Sequence, residues 1–480
     1  MSEKWVPAPY MLHAVKWLLE HGAAGIFADP GLRKTSIVLA ALKILLREHA
    51  MRRTLILAPL RPCYGVWNSD NEQSEICKWS DFNMLRSVVL HGSGKDRKLQ
   101  QALRDRTVHL FVMNPEGLPW LMTNGRFREL NPDGLVVDES TMFKNTQTQR
   151  FKYLEPVLEH FRRRWILTGT PSPNGLLDLF GQAKILDLGR ALGRYVSHYR
   201  LHYFNSSGYG GYTWTPKKNA EEMIYKQLKD LVLRIDERDA GIHIPPVVDV
   251  PMYVQLDRKA RKVYDTMETQ LLAEVRGNMI TAANVGVAMG KCAQIANGAL
   301  YLPERVNKEG LKIKEPRRYQ AIHDAKLDAL AELREELSGK SLIAAYYFEH
   351  DLERIRSYFD EDLPAIGGHT NAKQTQIIER DFNARKIPLL LMQSGSTHGL
   401  NPQAGGNHIA WFGLTFNYEH YDQTIRRLRR SGQKAARVWN HLLLAQNTVD
   451  EVKLVALRSK ERTQSTLLDA LRAYAHRRRH

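Results

Sequence analysis

The 480-residue sequence predicts an α/β protein: two lobes, each a parallel sheet flanked by helices, with an insertion and connector between them. Three observations predict it. Short β-branched or aliphatic runs at Thr54 to Ala58, Val108 to Met113, Leu135 to Val137 and Trp165 to Leu167 are separated by helix-patterned stretches, as when crossover helices join parallel strands. A second alternation begins at Val247, with strand-like runs at Leu342 to Tyr346, Leu389 to Met392, His408 to Phe412 and Val438 to Leu444. Between the two, from about Gly189 to Pro246, lie a Gly/aromatic run (Ser206 to Tyr212), a charged helical stretch and Pro245-Pro246, the composition of a loop and linker. The expected domains are therefore 1–188, 189–248 and 249–480.

Taken in order, the chain opens on an amphipathic helix with apolar Leu12, Val15, Leu18 and Leu19. The run Phe27-Ala28-Asp29-Pro30-Gly31-Leu32-Arg33-Lys34-Thr35-Ser36 follows, then an apolar helical segment from Ile37 to Leu46. This is the layout of a phosphate-binding loop, in which backbone N–H groups and a helix N-terminus face a nucleotide's phosphates. Lys34 would reach the β/γ-phosphates and the Thr35 hydroxyl would ligand Mg²⁺. The full pattern has Gly where this chain has Ala28 and Arg33, and an Asp-Pro-Gly turn capping an ordinary helix fits the same residues. Later, apolar Leu327, Leu330, Leu333 and Leu337 form a helical stripe, and the chain ends in the basic run His476 to His480.

Lys and Arg total 69 against 52 Asp and Glu, a net charge of +17. Such an excess points to a polyanionic partner, nucleic acid ahead of a membrane surface, or to an inert basic surface. Three widely spaced cysteines (Cys63, Cys77, Cys292) indicate neither a disulfide framework nor a structural zinc site. With no signal peptide and no apolar run near membrane-spanning length, a soluble, cytoplasmic protein is expected.

Two further stretches carry chemistry. Leu135-Val136-Val137-Asp138-Glu139 is an apolar strand ending in adjacent carboxylates; hydrolysis at a γ-phosphate needs one group to hold Mg²⁺ and another to orient water. Asp138 is assigned to the metal and Glu139 to the water, the alternative being a polar strand end. Arg164 to Pro171 runs from a strand into a hydroxyl-rich turn, where Thr168, Gly169 and Thr170 would contact the acidic pair and sense the γ-phosphate. Near the other end, Gln423, Arg427 and Arg430 are spaced to share one helix face. Arginines offered to a γ-phosphate stabilise transition-state charge, although Arg426, Arg427, Arg429 and Arg430 also read as a solvated basic face. No second carboxylate cluster supports a nuclease.

The ordered set resembles the superfamily 2 helicase-like ATPases of the Swi/Snf type, most closely their compact phage and prophage members. The matching segments are Tyr10 to Leu18, Asp29 to Thr35, Leu55 to Leu60, Asp138 to Asn145, Leu167 to Asn174 and Gln294 to Gly298, then Ser341 to Phe348, Ser396 to Asn401, Gln423 to Gln433 and Thr448 to Glu451. The resemblance implies two tandem RecA-like lobes. ATP would be met by Tyr10, Asp29, Pro30, Gly31, Leu32, Arg33, Lys34, Thr35 and Ser36 from the first, and by Gly399, Gln423, Arg427 and Arg430 from the second. It implies a motor moving mainly on duplex DNA, with DNA phosphates met by Arg61, Lys144, Asn145 and Thr397; for Lys144 and Asn145 a turn cap is the competing reading. Two departures stand out. Met11 replaces a glutamine that reads the adenine edge, and Arg33 replaces a glycine. They motivate an alternative, a nucleic-acid-binding module on a degenerate motor fold without productive ATPase activity.

Overall fold

The computed structural model describes residues 2–173, 175–207, 213–242, 244–276, 282–303, 317–396 and 399–458. The chain divides into two units, Met1–Ile244 and Pro245–His480.

In the first unit, β2 (Thr54–Leu57), β4 (Val108–Met113), β5 (Gly134–Asp138) and β6 (Arg163–Thr168) are the strands read from the apolar runs, with β1 (Ala23–Ala28) and β3 (Arg86–Val89) added. A hairpin follows, β7 (Phe204–Ser207) and β8 (Thr213–Pro216), and then β9 (Val232–Ile235). The sheet order is β3-β4-β2-β5-β6-β1-β9, and every pairing in it is parallel. Side chains alternate between its two faces. Ile56, Val112, Val136 and Leu167 enter one core, whereas Leu55, Leu57, Phe111, Met113, Val137 and Ile166 enter the other. Burial on both faces is why these strands read as unbroken apolar runs.

The segment expected as a connector is divided between the units. Val232 and its neighbours pair with Gly25 to Ala28 of β1, so the boundary placed at 188 falls inside the first unit. The Gly/aromatic run from 208 to 212 and the basic tail lie outside the described residues. The N-terminal helix, α1 (Pro9–Glu20), is present, but its buried face is Met11, Ala14, Val15 and Leu18. Leu12 is 54% exposed, so the stripe is rotated from the expected one.

The second unit holds β10 (Val247–Val254), the short pair β11 (Ala299–Tyr301) and β12 (Tyr319–Ala321), β13 (Leu342–Tyr346), β14 (Ala365–Ile366), β15 (Leu389–Gln393), β16 (His408–Trp411) and β17 (Val438–Ala445). Its main sheet runs β10-β17-β16-β13-β15-β14, again all parallel. The two parallel sheets flanked by helices are the tandem RecA-like arrangement expected. No helix among the described residues is long and apolar enough to cross a membrane, and the three cysteines are free.

Charge is buried deep in the second unit. The expected helix over the leucine stripe (Ala325–Glu336) also buries Lys326, whose ammonium lies 2.6 Å from Asp450 with both side chains at 0% exposure. Lys453, equally buried, stands 3.7 Å from the same carboxylate. Asn297, within the Gln294 to Gly298 segment, accepts from Lys326 at 2.9 Å and donates to Asp351 at 3.0 Å. Burial alone would raise the Asp450 pKa, but the two lysines hold it below the usual carboxylate value.

Near the opposite end of these strands, His408 Nδ1 and His441 Nε2 are 3.1 Å apart and buried. Burial pushes both imidazoles down from 6.5 to about 4, with His441 and Lys340 adding to the effect on His408. A depressed pKa means that the unfolded chain binds the proton more tightly, so stability is lost as pH falls through 6.5 toward 4. The melting temperature of this unit should therefore drop already between pH 6.5 and about 5.5, above the range where ordinary carboxylates titrate. A flat profile over that window would exclude a buried neutral pair.

Candidate nucleotide and nucleic-acid site

Because β5, β6 and β1 are adjacent and parallel, their C-terminal ends bring three sequence-distant segments to one edge of the first sheet, where ligands of such sheets bind. β1 ends at Ala28, and the turn Asp29 to Arg33 leads into α2 (Lys34–Arg47). Gly31 has φ 93° and Arg33 φ 51°; both are left-handed, a conformation glycine adopts freely and arginine adopts at a cost of about 1–2 kcal/mol. Arg33 nevertheless serves as the residue before the helix, and its guanidinium lies 5.4 Å from the Trp79 ring centre. Lys34 folds back over the turn, donating to the carbonyls of Ala28 at 2.6 Å and Asp29 at 3.2 Å. Thr35, in the first turn of the helix, is half-buried, and Ser36 is buried, donating to the Arg33 carbonyl at 3.0 Å.

Asp29 is held from the far side of β1. Its N–H donates to the Ile235 carbonyl at 3.1 Å, and its carboxylate accepts from the Glu237 N–H at 3.2 Å. The turn is thus anchored to β9, a strand that the sequence reading did not find.

Asp138 closes β5. It accepts a 2.8 Å hydrogen bond from the indole N–H of Trp67. Burial pushes its pKa up to about 6; Glu139 adds to the rise, and the Trp67 bond and the Lys34 charge oppose it. Lys34 and Asp138 therefore belong to one electrostatic site. Glu139 sits at φ 62°, and its Oε1 accepts from Thr141 at 3.0 Å and from Thr168 at 3.2 Å. Thr168 in turn accepts from the Thr170 N–H at 3.2 Å. Gly169 lies against the Asp29–Arg33 turn: a Cβ there would stand 2.9 Å from Pro30 Cγ and 3.5 Å from Lys34 Nζ. Lys34, Asp138, Glu139, Thr168, Gly169 and Thr170 are brought together at this edge.

Tyr10 is half-buried at the start of α1, its pKa raised by burial against an opposing effect of the Arg33 charge, which places it near the turn. Met11 points inward at 1% exposure, its sulfur accepting the Ala8 N–H at 3.4 Å. Arg61 is half-buried in α3 (Leu60–Gly65), directly after β2. Lys144 is 3.7 Å from Asp178. Asn145 is exposed and accepts from the Gln147 N–H at 2.9 Å, the turn-cap role weighed for it.

In the second unit, Gln423 and Arg427 lie on the helix Tyr418–Leu428, with Gln423 bonded to Glu419 at 3.4 Å. The expected shared face does not extend to Arg430. The helix stops at Leu428, Arg429 leaves it at ψ 79°, and the turn reaches Gly432 at φ 90°. Arg430 instead bonds the Leu400 carbonyl at 3.3 Å, next to Gly399. Both arginines act on one acid: burial raises the Glu379 pKa, while Arg430 and Arg427 pull it down. Thr397 lies outside the described residues. Trp67 and Gln182, which contact the acidic loop, were not signalled by any spacing.

The SNF2-related domain family matches residues 10–311. The chain belongs to this family. Protein p41 of Acyrthosiphon pisum secondary endosymbiont phage 1 is 33% identical over 483 residues, covering 98% of this SNF2-related chain and 99% of p41. DNA repair protein rad8 of Schizosaccharomyces pombe is 25% identical over 246 residues, 48% of this chain and only 20% of rad8. Chromatin remodeling factor mit1 of the same yeast is 28% identical over 191 residues, 37% of this chain and 13% of mit1. Among solved structures, the Sulfolobus solfataricus SWI2/SNF2 ATPase core in complex with dsDNA aligns with TM-score 0.43 and 18% identity, over 98% of this chain and 95% of that one.

Proposed function

We propose that the protein is an ATP-dependent DNA translocase, hydrolysing ATP to move on mainly duplex DNA. The observation that carries this reading is the meeting of Lys34, Asp138 and Glu139 with the Thr168–Thr170 turn at one sheet edge. On nucleotide binding, Lys34 exchanges the Ala28 and Asp29 carbonyls for phosphate oxygens, while Tyr10 stacks on the base. Hard oxygen donors fit Mg²⁺, which takes few protein ligands and leaves the rest to phosphates and water. Among the described residues no cluster of three His, Cys, Asp or Glu competes for a metal. Asp138 and Thr35 would hold the ion, which when bound draws charge from the phosphates. Glu139, steadied by two hydroxyls, orients the attacking water and takes its proton. In the second unit Gln423, Gly399, Arg427 and Arg430 would meet nucleotide phosphates, the arginines offsetting transition-state charge.

DNA as the partner accords with the +17 charge and with the names of rad8 and mit1. Its phosphates would be met by Arg61, Lys144, Asn145 and Thr397. The alternative of an inactive binding module rests on Arg33 and Met11. Arg33 takes the left-handed conformation at the cost given above, with its guanidinium over Trp79, so the loop accommodates the arginine, which weighs against that alternative.

Turnover measured side by side with no nucleic acid, single-stranded DNA, duplex DNA and RNA tests the proposal. Duplex DNA should stimulate most, and affinity should fall steeply with salt because phosphate contacts release counterions. Folded, DNA-binding protein that shows no DNA-stimulated hydrolysis would overturn it.

A further inference from the structure

We propose that Gln182 is a positioning residue that couples the DNA-facing loop to the phosphate-sensing turn; the inference rests on the function proposed above. Gln182 lies in the helix Leu179–Asp187 and is fully buried. Its carboxamide is used at both ends. Oε1 accepts from the Ser140 hydroxyl at 2.6 Å. Nε2 donates to the carbonyls of Pro171 at 2.6 Å and Asp178 at 2.8 Å.

Ser140 follows Glu139 directly, and Pro171 directly follows the Thr168–Thr170 turn. One amide therefore spans the loop that carries the water-orienting acid and the turn that bonds this acid. The helix itself lies flush on the loop, since a Cβ on Gly181 would strike the carbonyls of Phe143 and Lys144. One turn earlier, Asp178 pairs with Lys144 at 3.7 Å. Leu179, Phe180, Ile185 and Leu186 of the same helix are also buried, and an apolar residue at this position would leave the Ser140 hydroxyl without this acceptor. A buried amide satisfied at both ends instead fixes its partners relative to one another. Displacement of Lys144–Asn145 by a DNA backbone thus reaches Glu139 through Ser140, with the Thr168–Pro171 turn held in step.

The measured quantity is the ratio of ATP turnover with saturating duplex DNA to turnover without it, together with the melting temperature. Gln182→Leu should lower the ratio at least about 5-fold, the lower end of couplings measured between linked sites. Ser140→Ala, which removes only one bond of the bridge, should lower it part-way. The double variant S140A/Q182L removes the hydroxyl that Gln182→Leu alone would strand, though not the Pro171 and Asp178 carbonyls, and should recover part of the lost melting temperature, while its ratio stays low. A double variant that regains the ratio as well would reduce Gln182 to a packing role, and a Gln182→Leu protein with the parental ratio would overturn the inference outright. Parent protein whose ATP hydrolysis ignores DNA would instead remove the proposed function, and the coupling with it.

Discussion

Replacing Glu139 with glutamine should lower ATP turnover by about 10²–10⁴-fold, the size expected for loss of a proton-transfer group. The substitution keeps the side chain's length and can still accept from Thr141 and Thr168, which bond a single oxygen of the acid. Nucleotide and DNA affinity should therefore change little, and the loss should appear in kcat. Lys34→Ala should abolish turnover differently, through nucleotide affinity as well as rate, because Lys34 is the cation folded over the turn proposed to hold the phosphates. Steady-state kinetics with a parallel nucleotide-binding titration separates the two. If the Glu139→Gln protein retained more than about a tenth of parental kcat, the assignment of the water to this carboxylate would fail.

The second large effect concerns folding. Asp450→Asn should destabilise the C-terminal unit by about 3–5 kcal/mol, because it strands two ammonium groups in the interior. Lys326, Lys453 and Asp450 are all at 0% side-chain exposure, so water cannot stand in for the missing carboxylate. Lys453, with its pKa already pushed down to about 8 by burial, is the group most ready to shed its proton in response. The contrast is Arg334–Glu361, 3.0 Å apart with side chains 27% and 44% exposed, where Glu361→Gln should cost under about 1 kcal/mol. Thermal melting distinguishes them, since each kcal/mol moves the midpoint of a domain this size by about 2–4 °C. Equal shifts for the two variants would show that the buried trio carries no special weight.

How much of this was legible follows from what each residue spends its side chain on. Strands buried on both faces must be apolar throughout, so β2, β4, β5, β6, β13, β15, β16 and β17 could be read directly. β9 could not: it is four residues long at the sheet edge, with an arginine in the middle, and only pairing with β1 makes it a strand. The end of the arginine-bearing helix was misplaced because spacing rules assume that a helix continues, and here the turn at Arg429 to Gly432 stops it after Leu428. At the site, residue types that chemistry demands (Lys34, Asp138, Glu139, Thr168) announced themselves. Trp67, Gln182 and Lys326 did not, because a buried polar group is recognisable only by its partners, which lie 71, 42 and 124 residues away along the chain for Asp138, Ser140 and Asp450.

The anchoring of Asp29 by Ile235 and Glu237 has a mechanical consequence. Glu237 precedes Pro245, the first residue of the second unit, by only a short stretch of backbone. Any change in the curvature of the lysine-bearing turn is therefore felt at the end of β9 and the residues that follow it.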